Sequence, residues 1–249
     1  MSAKAIKGTI LCLHGYAQNG PTFSAKASGI RKALKKIGYH TVFVQGSLQI
    51  KKADLPFEVP PSENGEESDF DYRGWWQPTD DYELQPALDA VKGYYKEHGP
   101  FVGILGFSQG AGLAAVVCNN YAEIVGEPKA AEELKFGIFY SSFVLKPQQY
   151  QKYYDQKIKI PTLHIFGELD TVVVPERCEA LVEKCENPTI LKHPGGHFVP
   201  NTKDLIKKEI AWVESVTSEV EEKKEEQAEK QETEATKELE DQIGKLGIV

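Results

Sequence analysis

The chain has 249 residues, of which 41 % are hydrophobic and 10 % aromatic, enough for one large α/β domain with a substantial core. The net charge is −8, but residues 219–249 carry 11 acidic and 5 basic side chains, so the rest of the chain is nearly neutral. A neutral body with no basic stripe argues against a nucleic-acid surface, and no apolar run reaches the ~18 residues of a membrane span.

The cysteines and the amino terminus indicate a cellular location. The four cysteines show no CxxC motif and no paired spacing, so we expect reduced, mostly buried thiols rather than zinc ligands or disulfides. The amino-terminal apolar run is short and leads straight into His14-Gly15, which is typical of a first strand rather than a signal peptide. Together these features predict a cytoplasmic protein, with the nucleus as an alternative.

Strands and helices are predicted to alternate along the chain. The pattern predicts strands at 8–14, 39–45, 101–106, 136–140, 160–166 and 189–192, and helices at 21–38, 83–99, 109–122, 175–185 and 203–217. The helix at 21–38 begins at a proline and ends at a glycine. This alternation predicts an α/β fold with a mostly parallel sheet and helices on both faces.

Two segments interrupt this pattern and set the domain organisation. Residues 46–82 are rich in proline, glycine and acid and are too long for a plain connection, so we expect a functional or mobile insertion on the substrate side. Residues 219–249 lack the apolar periodicity of a core and are expected to be disordered or a solvated helix. The prediction is therefore a single domain over 1–218 followed by an acidic tail.

A serine lies between two glycines directly after an apolar strand, in the sequence Gly106-Phe107-Ser108-Gln109-Gly110. This fits the pattern G-x-S-x-G of a nucleophile elbow, in which a strained backbone raises the serine hydroxyl above the sheet and small neighbours let strand and helix approach. The small-residue helix "AGLAAVV" follows, as the elbow requires. An ordinary strand-to-helix turn is the alternative, but the context favours Ser108 as a nucleophile.

A serine hydroxyl needs a base, and the base needs an orienting acid. His197 lies in the glycine-rich stretch "HPGGHFVPN" after the last short strand, where a base is expected, and His193 is its main competitor. Asp170 follows the apolar strand in "TLHIFGELD" and is the candidate acid, with Glu168 as the fallback. The order serine, aspartate, histidine is that of the α/β-hydrolase fold.

The reaction also needs donors for the negative charge that develops on the substrate oxygen. The backbone N–H of Gln109, directly after the nucleophile, is the first candidate. The second is the N–H of Tyr16, in the loop after the first strand. His14 is expected to brace this loop through its side chain rather than to act as a base.

The chain resembles the fungal family of serine hydrolases, a group that includes the ovarian-tumour-suppressor-candidate-2 esterase. The resemblance rests on "LCLHGYAQNGPTFSAKASGIRKALKK", "HGPFVGILGFSQGAGLAA", "PTLHIFGELDTVV" and "HPGGHFVPN", between about residues 8 and 217. It implies a compact α/β-hydrolase that acts on carboxylic esters or thioesters of acyl chains. The triad that it implies falls on the serine, aspartate and histidine already selected.

The predicted reaction is hydrolysis of a small-molecule acyl ester through an acyl-enzyme, with no metal or cofactor. Trp75 and Trp76 either anchor the insertion to the core or line an apolar acyl pocket over the nucleophile, and Phe143 and Val144 are expected to extend that wall.

Other functions stay open at this point. An acyl thioesterase, a lactone hydrolase or a peptide hydrolase would use the same triad, because the triad does not select the leaving group. A non-catalytic protein with a hydrolase fold would instead work through the acidic tail, and the apolar end "IGKLGIV" of residues 219–249 would then dock a protein partner. A missing triad residue would favour that interaction role, and none is missing.

Overall fold

The computed structural model describes residues 6–58 and 70–219. Its main sheet has six parallel strands in the order β2-β1-β5-β6-β7-β8, and a separate antiparallel pair joins β3 to β4. The strands are β1 (Gly8–Leu13), β2 (Tyr39–Phe43), β3 (Leu48–Gln49), β4 (Arg73–Gly74), β5 (Phe101–Phe107), β6 (Phe136–Tyr140), β7 (Thr162–Gly167) and β8 (Pro188–His193).

Helices connect the parallel strands. They are α1 (Gly20–Lys26), α2 (Ser28–Lys36), α3 (Gln85–His98), α4 (Gln109–Asn119), α5 (Tyr121–Val125), α6 (Ala130–Glu133), α7 (Pro175–Val182) and α8 (203–219), with 3₁₀ turns at Lys52–Asp54 and Gln148–Tyr154. The six predicted strands and the α/β class are confirmed. The sheet places the carboxyl ends of all six strands at one edge, where ligands bind in open parallel sheets.

The sheet is buried on both faces because its side chains alternate between two cores. Leu11 and Leu13 of β1 join the cluster that contains α3 and α4, whereas Ile10 and Cys12 join the cluster under α1, α2 and α8. Strands β5, β6 and β7 are almost entirely buried. Continuous apolar strands of this kind are expected where helices cover both faces of a parallel sheet.

The prediction of a single helix at 21–38 is wrong, because the helix is interrupted at Ala27 and forms α1 and α2 instead. The break frees the Lys26 carbonyl and the Gly29 N–H from helical bonding. The Asn201 side chain satisfies both groups, with its amide nitrogen 2.8 Å from the carbonyl and its oxygen 2.9 Å from the N–H. A residue 172 positions further along the chain therefore stabilises the break. The helix pattern within 21–38 contains no sign of it.

The predicted insertion contributes the strand pair β3–β4, and its residues 59–69 lie outside the described part of the chain. The acidic tail from residue 220 onward, including the apolar end "IGKLGIV", also lies outside it. The predictions for the tail therefore stay predictions.

The last helix is tied to the centre of the sheet by a buried acid. The Glu209 carboxylate accepts a 2.6 Å hydrogen bond from the Tyr140 hydroxyl at the end of β6, and neither side chain is exposed. Burial raises the pKa of Glu209 to about 7, and it also raises the pKa of Tyr140. This contact fixes the carboxyl end of β6, beside which the functional residues lie.

All four cysteines are buried and unpaired, as predicted, and burial raises the pKa of each thiol. Over the described ranges, none of the helices has the length and hydropathy needed to span a bilayer.

Candidate active site

Ser108 lies at the sharp turn between β5 and α4. Its backbone has φ 54° and ψ −118°, a conformation that is costly for a residue with a side chain. The turn is held by hydrogen bonds: the Ser108 N–H donates to the Tyr140 carbonyl at 2.9 Å, and the Ser108 carbonyl accepts from the N–H groups of Ala111 and Gly112. This is the backbone geometry of a nucleophile elbow.

The two glycines of the motif allow this turn to close. A Cβ at Gly106 would overlap the carbonyl oxygen of Gly110. A Cβ at Gly110 would in turn overlap the carbonyl oxygen of Leu13 in β1. Both positions therefore require glycine because backbone approaches backbone without space for a side chain.

His197 reaches Ser108 from the loop after β8. Its Nε2 lies 2.9 Å from the Ser108 Oγ, and its Nδ1 lies 2.7 Å from the Asp170 Oδ2. A carboxylate can only accept, so Nδ1 carries the proton and Nε2 is free to accept the serine proton. The ring packs at 4.8 Å from the Phe107 ring, which supports its orientation. The histidine side chain is 18 % exposed and so remains accessible from solvent.

The Asp170 carboxylate is buried and receives four hydrogen bonds. Oδ1 accepts the N–H groups of Val172 and Val173, both at 2.9 Å, and Oδ2 accepts the Ser141 hydroxyl at 2.8 Å besides His197. Burial of the carboxyl group opposes its ionisation. The hydrogen bonds from His197, the Val173 N–H and Ser141 outweigh that effect and hold the pKa of Asp170 below its ordinary value.

The competing candidates are placed differently. The His193 Nδ1 accepts the Gly195 N–H at 3.3 Å, and its Nε2 is buried with no hydrogen-bond partner among the described residues. Glu168 is exposed, and its N–H pairs with the His193 carbonyl. The structure thus joins Ser108 to His197 and Asp170 by hydrogen bonds, and it records no such link for His193 or Glu168 in residues 6–58 and 70–219.

The two expected oxyanion donors lie at the start of α4 and in the loop after β1. Gln109 is the first residue of α4, where a backbone N–H has no partner within the helix. Tyr16 lies in the loop after β1, which the His14 side chain holds through hydrogen bonds. Burial lowers the pKa of His14 to about 4, so the ring is neutral; its Nδ1 donates to the Gly15 carbonyl and its Nε2 accepts the Gly46 N–H.

The insertion reinforces the same region through the Gln109 side chain. Its Oε1 accepts the Trp75 N–H at 2.8 Å, and its Nε2 donates to the Trp76 carbonyl at 2.7 Å. The Trp75 indole N–H donates to the His14 carbonyl at 2.8 Å, and Arg73 pairs with Gln18 through both backbone groups. The end of the insertion is therefore bonded to the β1 loop and to the start of the nucleophile helix.

The four predicted wall residues fall into two groups. Trp75 is 1 % exposed and packs on the His14 ring, which corresponds to the anchoring alternative. Trp76 is 5 % exposed and stacks on Tyr82 at 5.1 Å. Phe143 and Val144 are only partly buried at the edge of the core. The wall role stays a prediction for all four residues.

Comparison with known proteins supplies the family. The model of the family described as "Serine hydrolase (FSH1)" matches residues 1–209. The chain belongs to this serine hydrolase family. It is 35 % identical over 219 residues to "Family of serine hydrolases 2" of Saccharomyces cerevisiae, covering 84 % of this chain and 98 % of that one. It is 36 % identical over 216 residues to "Esterase OVCA2" of Danio rerio, covering 80 % and 92 % of the two chains.

Solved structures show that this serine hydrolase has the α/β-hydrolase fold. The structure of "esterase PE8" aligns with a TM-score of 0.55 at 18 % identity, over 86 % of this chain and 94 % of that one. The structure of "Zea mays acyl-protein thioesterase 2" aligns with a TM-score of 0.55 at 17 % identity, over 86 % and 95 % of the two chains. At these identities the likeness concerns the fold.

Sequence reasoning missed two features of the site. Ser141 is absent from the predicted site, although a hydroxyl residue directly after a strand at this sheet edge is an available signal. The Gln109 side chain was also missed, and no pattern could have found it, because its partners lie more than 30 positions earlier in the irregular insertion.

Gln109→Ala tests the two hydrogen bonds that join the Gln109 side chain to the backbone of Trp75 and Trp76. The change leaves the Trp75 N–H and the Trp76 carbonyl buried without partners, so we expect unfolding to become easier by about 2 kcal/mol in chemical denaturation. Gln85→Ala is the control, because that glutamine bonds Asp89 on an exposed helix surface and should change stability by less than about 0.5 kcal/mol. Equal effects of the two variants on the free energy of unfolding would contradict a stabilising role of these two hydrogen bonds.

Proposed function

We propose that this serine hydrolase is a carboxylic ester hydrolase that acts through Ser108, His197 and Asp170. The observation that carries the proposal is the continuous hydrogen-bonded line from the Ser108 Oγ through the imidazole to the Asp170 carboxylate. A nucleophile, a base of defined tautomer and a buried carboxylate are the parts that acyl transfer requires. The esterase names of relatives at 34–36 % identity support the ester as the substrate class.

The first half of the reaction forms an acyl-enzyme. The Ser108 Oγ attacks the ester carbonyl carbon and passes its proton to the His197 Nε2, while the carbonyl oxygen becomes an oxyanion. The backbone N–H groups of Gln109 and Tyr16 would bind that oxyanion. The tetrahedral intermediate then collapses: the bond to the alcohol oxygen breaks, and the alcohol leaves with the proton from Nε2.

The second half returns the free enzyme. Water loses a proton to the His197 Nε2 and attacks the acyl carbon, and the bond to the Ser108 Oγ breaks as that oxygen regains a proton. Asp170 stays ionised throughout and stabilises the imidazolium that forms in each half. The depressed pKa of this carboxyl, caused by its hydrogen bonds against the effect of burial, keeps it charged in mildly acidic solution.

The acyl chain is proposed to lie against Phe143, Val144 and Trp76. Phe143 is half-buried beside Gly112 of α4 and packs against the small buried cluster that contains Val173. The Arg177 guanidinium lies over its ring at 4.5 Å, a cation–π contact that helps to hold the ring in place. An aromatic side chain beside the nucleophile helix suits an apolar acyl group.

Two further assignments concern the cellular location and a protein partner. A cytoplasmic or nuclear location is proposed from the four reduced thiols. A protein partner for residues 219–249 remains a prediction from their composition.

The central test is turnover of an ester panel by Ser108→Ala. Loss of the nucleophile should reduce kcat by about ten-thousand-fold or more, with an unchanged circular dichroism spectrum. Ser215→Ala is the control because its hydroxyl lies on the exposed surface of α8, and it should retain full activity. Undiminished turnover by the Ser108 variant would exclude the mechanism. Matched thioesters in the same panel would reveal whether sulfur leaving groups react faster.

The acyl wall is tested with p-nitrophenyl esters of two to sixteen carbons. Each buried methylene contributes about 0.8 kcal/mol, or roughly fourfold, so Phe143→Ala and Trp76→Ala should lower kcat/KM for the longer esters by about tenfold and leave the acetyl ester unchanged. Ile190→Ala, at an exposed apolar position of β8, is the control. A chain-length profile identical to that of the natural sequence would contradict the proposal that Phe143 and Trp76 contact the acyl chain.

A further inference from the structure

Ser141 occupies the first position after β6 and is completely buried. Its backbone has φ 47°, in the left-handed region that side chains disfavour. The residue is held on both sides: its N–H donates to the Ile165 carbonyl at 2.9 Å, and the preceding Tyr140 is fixed by Glu209. A strained, buried polar residue at this edge of the sheet indicates that its side chain has a defined task.

The Ser141 hydroxyl contacts the proposed acid of the triad. It donates a 2.8 Å hydrogen bond to the Asp170 Oδ2, the same oxygen that accepts the His197 Nδ1–H at 2.7 Å. The other oxygen, Oδ1, is held by two backbone N–H groups of the acid's own loop. Ser141 is thus the one side chain besides the histidine that binds this carboxylate within residues 6–58 and 70–219.

We propose that Ser141 is a positioning residue, whose hydroxyl fixes the carboxylate oxygen of Asp170 that orients His197. The inference rests on the proposed function, because it assigns Ser141 a part in the same triad. Ser141 is completely buried, and the hydrogen bond that its hydroxyl makes goes to the Asp170 Oδ2. It acts on the base through the acid.

The hydroxyl contributes in two ways. It restricts rotation of the carboxylate, so Oδ2 stays in the plane where the imidazole N–H can reach it. It also stabilises the ionised carboxylate, as one of the hydrogen bonds that lower the pKa of Asp170 against the opposing effect of burial. The other titratable groups that face this carboxylate are His197, His193 and the Cys178 thiol.

The neighbouring Ser142 offers a matched comparison. It is 1 % exposed, and its hydroxyl has no hydrogen-bond partner in the described part of the chain. The two serines are therefore equally buried and adjacent in sequence, but they differ in contact with the carboxylate. A general effect of removing a buried hydroxyl should appear in both, whereas an effect on Asp170 should appear in Ser141 alone.

The experiment compares Ser141→Ala, Ser141→Gly and Ser142→Ala in the full chain, with steady-state kinetics across pH. Loss of a hydrogen bond to a charged group should lower kcat about tenfold in both Ser141 variants, with KM unchanged because the side chain does not contact substrate. The lost donor also raises the pKa of the Asp170 carboxyl, so the low-pH end of the acid limb of the kcat/KM profile, where Asp170 itself is protonated, should begin at higher pH. Ser142→Ala should show neither change.

The glycine variant keeps the test decisive. Glycine accepts the positive φ without strain, so it folds even if the alanine variant does not, yet it lacks the hydroxyl. If the Ser141 position matters only for its backbone, Ser141→Gly will retain full kcat and an unmoved acid limb, and the inference fails. Losses of equal size in Ser142→Ala would also overturn it.

Ser108→Ala, measured in parallel, separates this inference from the proposed function. An inactive Ser108 variant beside fully active Ser141 variants refutes the positioning role alone. An active Ser108 variant refutes the triad itself.

Discussion

The buried carboxylate of Asp170 is the constraint on which the rest of the site depends. An ionised group away from water is costly unless each oxygen is hydrogen-bonded, so its partners must stay in place. Its four donors come from its own loop, from Ser141 after β6 and from His197 after β8. Satisfying one charge therefore ties together three neighbouring loops at the carboxyl edge of the sheet and leaves the imidazole in one tautomer beside Ser108.

A second network holds the other side of the nucleophile. The amide of Gln109 fixes the end of the insertion, and the Trp75 indole returns to the carbonyl of His14 in the β1 loop. Gln109 therefore has two proposed roles: its backbone N–H would donate to the substrate oxyanion, and its side chain holds the end of the insertion through hydrogen bonds. A rigid arrangement of such donors before the substrate arrives is the main requirement of oxyanion stabilisation.

Most of the fold was predictable from the sequence because parallel strands buried on both faces appear as apolar runs, separated by helical patterns. The candidates Ser108, Asp170 and His197 were accessible because each lies at or shortly after the end of a strand, and the strand ends meet at one edge. The break at Ala27 was not predictable, because a distant Asn201 stabilises it. Contacts of Ser141 and of the Gln109 side chain depend on three-dimensional placement and leave no spacing pattern.

The most direct measurement is to locate the adduct formed with a fluorophosphonate probe, by peptide mass spectrometry of the labelled full chain. The account predicts one adduct per chain, on Ser108, and labelling at least about a thousandfold slower in His197→Ala, because the base no longer activates the hydroxyl. A probe attached to another residue, or labelling at an unchanged rate without the imidazole, would contradict it.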